Sequence, residues 1–343
     1  MFYIRHSRTV KLISKILFED SISISAYKKY NLYKGINEKI VKIGSKELML
    51  PAIYNNLKNK NLDKFTDPEL IKYLKSISEI NFNRNNLLLN DVYKINKILN
   101  QAQINHVFLK GSALLAGGYY PSINERMIGD IDILVENKKL NETIKKLKDI
   151  GYYKITEISQ INDRHYPRLA NKKSKFALEV HSKVLNKNYN NLLKTDKILK
   201  NKNFIENIPI PSNNDLLIHC ILNYQINDGG NKLTNYNFKS MYDISRILKK
   251  NKLQISKYTK YRKIRNYMNI ASIINKNISF NKLNLLDFIY RIRFSIKQYS
   301  TVIRYIENLI LDLPKIIKIK IIQFREILTK GDYRKYLLKK YSK

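Results

Sequence analysis

Two acids two positions apart, Asp130 and Asp132, sit in the otherwise apolar run Gly129-Asp130-Ile131-Asp132-Ile133-Leu134-Val135. Side chains alternate along a strand, so both carboxylates point to one face while Ile131, Ile133 and Val135 fill the other. Like charges held side by side repel, and a cation between them relieves the repulsion; hard oxygen ligands suit Mg²⁺ or Mn²⁺. Upstream, Asn105-His106-Val107-Phe108-Leu109 runs into Lys110-Gly111-Ser112 and then Ala113-Leu114-Leu115, which predicts a strand, a tight turn and a helix start. A turn of that kind offers backbone N–H groups and the positive end of a helix dipole to an anion. Together these are the parts of a nucleotidyl-transfer site. Gly111 and Ser112 would admit the triphosphate to backbone amides. The carboxylates would hold metal ions that bridge the phosphates and offset charge on the transferring phosphoryl group.

The Gly-Ser turn followed by Asp-x-Asp resembles the signature of the DNA polymerase β-like nucleotidyltransferase superfamily. More closely, Leu109-Lys110-Gly111-Ser112-Ala113-Leu114, Tyr120-Pro121, Arg126 and Gly129 to Val135 are similar to an uncharacterised bacterial branch of nucleotidyltransferases. The superfamily carries a third carboxylate on a neighbouring strand, and Phe176-Ala177-Leu178-Glu179-Val180-His181 alternates as a strand should. The resemblance therefore implies that Glu179 is the third acid, completing the metal site with Asp130 and Asp132 and serving as base or orienting one. Asp130 follows Ser112 by eighteen positions, longer than the compact spacing common in the wider superfamily, with the insertion at Tyr119 to Arg126.

Around these acids, Lys110 and Arg126 are either phosphate contacts or ion-pair partners of the carboxylates. His165 and His181 lie on strands near the site and read as structural histidines. Asp243 reads as a packing or capping acid, with a site role from the C-terminal helices as the alternative. His6, His106 and His219 carry no functional signal.

Composition sets the frame. A chain of 343 residues with 44% hydrophobic residues can bury a large core, which argues against wholesale disorder. Lys plus Arg number 64 against 28 Asp plus Glu, a net charge of +36. A surface that basic attracts nucleic acid, anionic membrane or a nucleotide's polyphosphate. The abundance of Lys, Asn, Ile and Tyr throughout is also what an A- and T-rich genome writes, and that bias accounts for the larger part of the charge. The single Cys220 excludes an internal disulfide and a Cys-based zinc site, and its apolar helical setting predicts an inert thiol. Arg5, Arg8, Lys11 and Lys15 interrupt the first apolar run, which reads as neither signal peptide nor spanning helix, and Lys and Asn interrupt every later one. The expected location is the cytoplasm.

The elements that must position the acids follow from periodicity. Residues 1 to about 60 read as short helices, and Lys58 to Lys64 as a polar loop. Thr66-Asp67-Pro68-Glu69 is a helix start, and the helical pattern runs to Asn100 with a soft break at Asn81 to Asn86. Ile104 to Leu109 is a strand, Ser112 to Gly117 a short helix, Leu140 to Asp149 a helix ending at Gly151, and Tyr152 to Ile158 a strand. Arg164 to Leu169 and Lys175 to His181 form a strand pair across the turn Asn171 to Ser174. Pro209, Pro211 and Ser212 to Asp215 read as linker and cap, Leu216 to Tyr224 as a helix, Asn227 to Gly230 as a loop, and Phe238 to Leu248 as a helix. Leu285 to Lys343 is a basic helical tail broken at Pro314. The expected fold is α+β, a small mixed polymerase-β-like sheet (96–185) between helical N-terminal (1–95) and C-terminal (186–343) regions. The expected activity is metal-dependent transfer of a nucleoside monophosphate from an NTP to an unidentified acceptor. The alternatives are phosphoryl transfer at the same site, or a non-catalytic nucleic-acid-binding protein that uses the positive charge.

Overall fold

A computed structural model describes residues 2–31, 34–155, 164–253, 258–278, 283–329, 331 and 334. Four helices open the chain: α1 (Phe2–Phe18), α2 (Ile24–Asn31), α3 (Ile36–Lys46) and α4 (Leu50–Asn59). Their apolar stripes meet one another, burying Leu12, Ile16, Ile40 and Ile53. The stretch expected as a loop after Lys58 holds the end of α4 and a short 3₁₀ turn at Asp63–Phe65.

Helix α5 (Pro68–Gln101) follows, capped by the Asp67 carboxylate, which accepts from the backbone N–H groups of Glu69 and Leu70. It runs its 34 residues without the break expected at Asn81 to Asn86. The asparagines there are polar because they face a loop, as described below, and their side chains leave the helix ladder intact.

The mixed sheet comes next: β1 (His106–Leu109), α6 (Lys110–Ala116), β2 (Asp130–Val135), α7 (Leu140–Asp149), β3 (Tyr152–Lys154), β4 (Leu169–Asn171) and β5 (Ala177–His181). Strand order is β1-β2-β5-β4-β3, with β2 parallel to β5 and the other pairs antiparallel. Both faces of β2 are covered, so Ile131, Ile133 and Leu134 are all buried. The later part of the strand expected at Tyr152 to Ile158 lies outside the described residues.

After α8 (Thr195–Lys200), the stretch expected as a linker is a hairpin, β6 (Asn203–Ile205) with β7 (Ile208–Ile210), beside β1. Pro209 sits in this two-stranded ribbon, where a missing N–H is tolerated. Ser212 caps α9 (Asn213–Leu222), which continues into a π-turn at Asn223–Asn227; the loop expected at Asn227 to Gly230 is therefore shorter and leads into α10 (Gly230–Leu233). Helices α11 (Phe238–Asn251) and α12 (Arg262–Ile274) pack against α9, and α9 packs on α6, so the C-terminal helices join the sheet through α6.

The tail forms α13 (Leu285–Tyr299) and α14 (Thr301–Thr329). The break expected at Pro314 falls instead at Ser300, whose backbone is extended, and α14 continues through the proline. Most of the sequence after Thr329 lies outside the described residues. Among the described residues no helix is long and apolar enough to cross a membrane.

Candidate active site

Register brings the acids together. In the parallel pair β2·β5, Asp132 lies opposite Glu179 and Asp130 opposite Ala177, so the three carboxylates share a face. Arg168, just before β4, joins two of them: its Nη2 lies 3.0 Å from Asp130 Oδ2 and 2.9 Å from Glu179 Oε1. Lys110 joins the other combination, its Nζ 2.6 Å from Asp132 Oδ1 and 3.6 Å from Glu179 Oε2. His181, one strand repeat beyond Glu179, places Nε2 2.7 Å from Asp132 Oδ1 and 3.5 Å from Glu179 Oε2.

The environments drive these acids apart in proton affinity. Burial, followed by repulsion from Asp132 and Glu179, pushes Asp130 above its ordinary value. Burial opposes charge on Asp132 too, but the Lys110 ammonium and the His181 ring hold its carboxyl well below the usual range. Glu179 is likewise brought down to about 2, with His181 and Lys110 overcoming its burial. Asp130 is thus the acid whose negative charge the protein compensates least.

The donor set fits a divalent cation. One ligand atom each from Asp132, Glu179 and His181 lies within 4.8 Å of the others; Asp130 is outside this group and joins Glu179 through Arg168. Carboxylate oxygens suit Mg²⁺ and Mn²⁺, and an imidazole nitrogen beside them is also a ligand for Mn²⁺.

Of this cluster, Asp130 and Asp132 line a cavity of about 220 Å³, with Glu179 and His181 set behind its wall. Lys110, Gly111, Asp130 and Asp132 form its sheet side, and His219, Asn223, Asp228 and Lys239 its helical side. Gly111 lines the cavity in the first turn of α6; a Cβ on it would lie 3.1 Å from Ile128, so the missing side chain lets the strand leading to Asp130 pass close. The left-handed residue of this turn is Lys110, with φ 51°. Ser112 is fully buried behind it, its hydroxyl donating to Leu109 O at 2.7 Å and meeting the Asp132 backbone N–H at 3.4 Å. It pins β1 to β2.

Arg126 pairs with Asp243 rather than with the acids of the sheet, Nε to Asp243 Oδ1 at 2.9 Å, where Tyr120 also donates to Oδ1 at 2.8 Å. Both members line the cavity. The inserted loop is held from the other side by α5. Asn81 Nδ2 donates to the carbonyls of Asn124 and Arg126, and Asn85 Nδ2 to those of Ile123 and Arg126. Its Glu125, completely buried, accepts from Tyr242 Oη at 2.6 Å.

Several participants carried weak signals in the sequence. His181 shares alternation with Glu179, a pattern that places it on the acids' face. Arg168 precedes a strand and gave no sign. His219 carried no functional signal; it is buried, and neither ring nitrogen has a partner among the described residues. Burial, with Lys110 nearby, lowers its pKa to about 3, so it is neutral beside a charged cluster. Asp228, raised by burial, accepts from Asn223 at 3.3 Å, an arrangement produced by the π-turn. Cys220 is half-buried on the cavity wall with its thiol pKa pushed up, consistent with an inert thiol. His165 stacks edge-on against His181 with centroids 5.2 Å apart, and His106 is held by Asn96 and the Ile104 carbonyl outside the site.

The mixed sheet thus presents carboxylates from adjacent strands beside a strand-to-helix turn. The chain belongs to the family described as uncharacterised nucleotidyltransferase, whose model matches residues 37–265. The match covers every strand of the main sheet together with α9 and α11, and it stops within α12. No curated protein matches the chain.

Proposed function

We propose that this protein transfers a nucleoside monophosphate from an NTP to an acceptor, with Asp130, Asp132 and Glu179 holding Mg²⁺ or Mn²⁺. The observation that carries this reading is the shared face of the three acids, set by the register of Asp132 opposite Glu179, with Asp130 and Asp132 lining the adjacent cavity. Asp130, Asp132 and Glu179 would hold the ion, which would supply positive charge to offset that on the transferring phosphoryl group.

The chain's own groups divide the remaining work. Lys110, held in place by Asp132 and Glu179, keeps a cation at the cavity's sheet side, and Lys239 lines the helical side, so a polyphosphate is met from both. Gly111 lets the chain carrying Asp130 approach the turn. Arg126 acts on the site through Asp243, fixing the loop that leads into β2, rather than as a free phosphate contact. Asp130, the least compensated acid, is the one a substrate-borne cation would stabilise most.

Calorimetric titration with each NTP, with and without Mg²⁺, beside the double variant Asp130→Asn plus Asp132→Asn, tests the reading. Metal-dependent binding that vanishes in the variant supports it. Binding that ignores both the metal and the substitutions would sink it. Product mass, a gain of a nucleotide rather than of phosphate alone, then distinguishes nucleotidyl from phosphoryl transfer.

A further inference from the structure

Beyond the matched region, α14 presents an apolar face that the other described residues leave uncovered. Ile303, Ile306, Ile310, Ile317, Phe324 and Leu328 recur at helical spacing and are exposed, Ile310 by 62% and Phe324 by 63%. Tyr305, Leu309 and Ile316 are exposed beside them. At 100° per residue these positions spread over about 160° of the helix circumference. The bonds that tie α14 to the body fall in its first half: Glu307 to Arg293 and Lys297, Asn308 to Lys297, and Leu311 and Asp312 to Lys232. Neighbouring α13 is also exposed along Leu285, Ile289 and Ile292, while its Tyr290 and Phe294 are buried.

Width and charge together identify what covers this face. A seam for one partner helix is a narrow stripe, whereas an arc near half the circumference suits a flat apolar medium. The other side is rich in basic residues. Arg304 and Arg325 lie there by helical position, the sequence between them adds Lys315 and Lys318, and Glu307 and Asp312 are paired with basic residues of the body. From Pro314 to Thr329 the single acid is Glu326, and the sequence beyond adds Lys330, Arg334, Lys335, Lys339, Lys340 and Lys343 against Asp332 alone. Lys320, which falls within the apolar arc, has a stem long enough to lift its ammonium to a headgroup.

We propose that α14 lies in the plane of an anionic lipid surface, its apolar arc at the boundary between headgroups and acyl chains and its basic face toward lipid phosphates. The helix is surface-lying rather than spanning, since its polar face leaves no continuous apolar stretch of membrane length. This seats the matched enzyme region on a bilayer through an element outside it.

Co-sedimentation of the purified full chain with vesicles tests the proposal, using phosphatidylcholine alone and phosphatidylcholine mixed equally with phosphatidylglycerol. We expect pelleting with the anionic vesicles, weakened about tenfold or more by raised salt or by the triple variant Lys315→Ser, Lys318→Ser, Arg325→Ser. The variant Ile310→Asp, Ile317→Asp, Phe324→Asp should abolish it while leaving the thermal unfolding midpoint in place, because its residues are solvent-exposed. Sedimentation equilibrium without lipid should show a monomer. No pelleting with either vesicle, equal pelleting with both, or a dimer dispersed by the aspartate variant with no lipid binding, which would make a second copy the occupant, each overturns it. None of these readouts depends on nucleotide.

Discussion

Arg126 and Asp243, 117 positions apart in sequence, form a buried ion pair that fastens the loop before the acid-bearing strand to helix α11. The neighbouring residues repeat the connection on the other side of the backbone, Glu125 to Tyr242 and Arg246. Breaking a buried pair by removing one member leaves the other charge desolvated and unmatched. Asp243→Ala should therefore destabilise the protein by about 3–5 kcal/mol. The shift in the guanidinium unfolding midpoint measures this, and a change below about 1 kcal/mol would mean that the loop is held by other contacts.

Helix α5 should matter to the site although it contributes no reactive group. Asn85→Ala removes the side-chain donor to the Ile123 carbonyl and one of the two to the Arg126 carbonyl, which Asn81 still serves, a loss of about 1–3 kcal/mol. Because those carbonyls lie just upstream of Asp130, NTP affinity should fall alongside stability. An affinity equal to that of the unaltered protein, measured by titration, would show that the loop position is set elsewhere.

Asp130 and Asp132 should behave differently when neutralised. Repulsion and burial disfavour the Asp130 charge, so Asp130→Asn should leave stability unchanged or raise it while lowering transfer by about 10²-fold or more. Asp132 carries the Lys110 and His181 contacts, so Asp132→Asn should lose both activity and stability. Thermal midpoints beside single-turnover rates separate the two cases.

Stability should fall on acidification in two stages. His106 and His219 have folded pKa values lowered by burial to about 4 and about 3, below the ordinary 6.5. The unfolded chain therefore takes up their protons first, and stability is lost as pH falls from 6.5 toward those values. Glu179, at about 2 against 4.5, adds a second loss below pH 4.5, while Asp130, shifted the opposite way, offsets part of it. Unfolding midpoints against pH should show the first stage shrink in His219→Gln. A flat profile between pH 6.5 and 4.5 would contradict the buried neutral histidines.

What was legible in the sequence is what local pattern determines. The bounds of α7, the cap at Ser212 and the acid strand were readable because alternation, helical spacing and capping side chains act within a few residues. Asn81 and Asn85 suggested a break because their partners lie about forty positions away in the loop. The hairpin at residues 203–210 was hidden by Pro209, which an outer ribbon tolerates. Pro314 reads as a stop in any sequence, yet the helix passes it and turns at Ser300. In the candidate site the acids announced themselves through spacing, whereas Arg168 and His219 reach it only through strand order and helix packing.

The long connection between Ser112 and Asp130 is more than slack in a compact motif. Gripped by the asparagines of α5 on one side and by Asp243 and Tyr242 of α11 on the other, it works as a cross-brace. The first acid of the candidate site hangs from its far end, so a perturbation that loosens either helix, however far from the acids, arrives there as a displacement of Asp130.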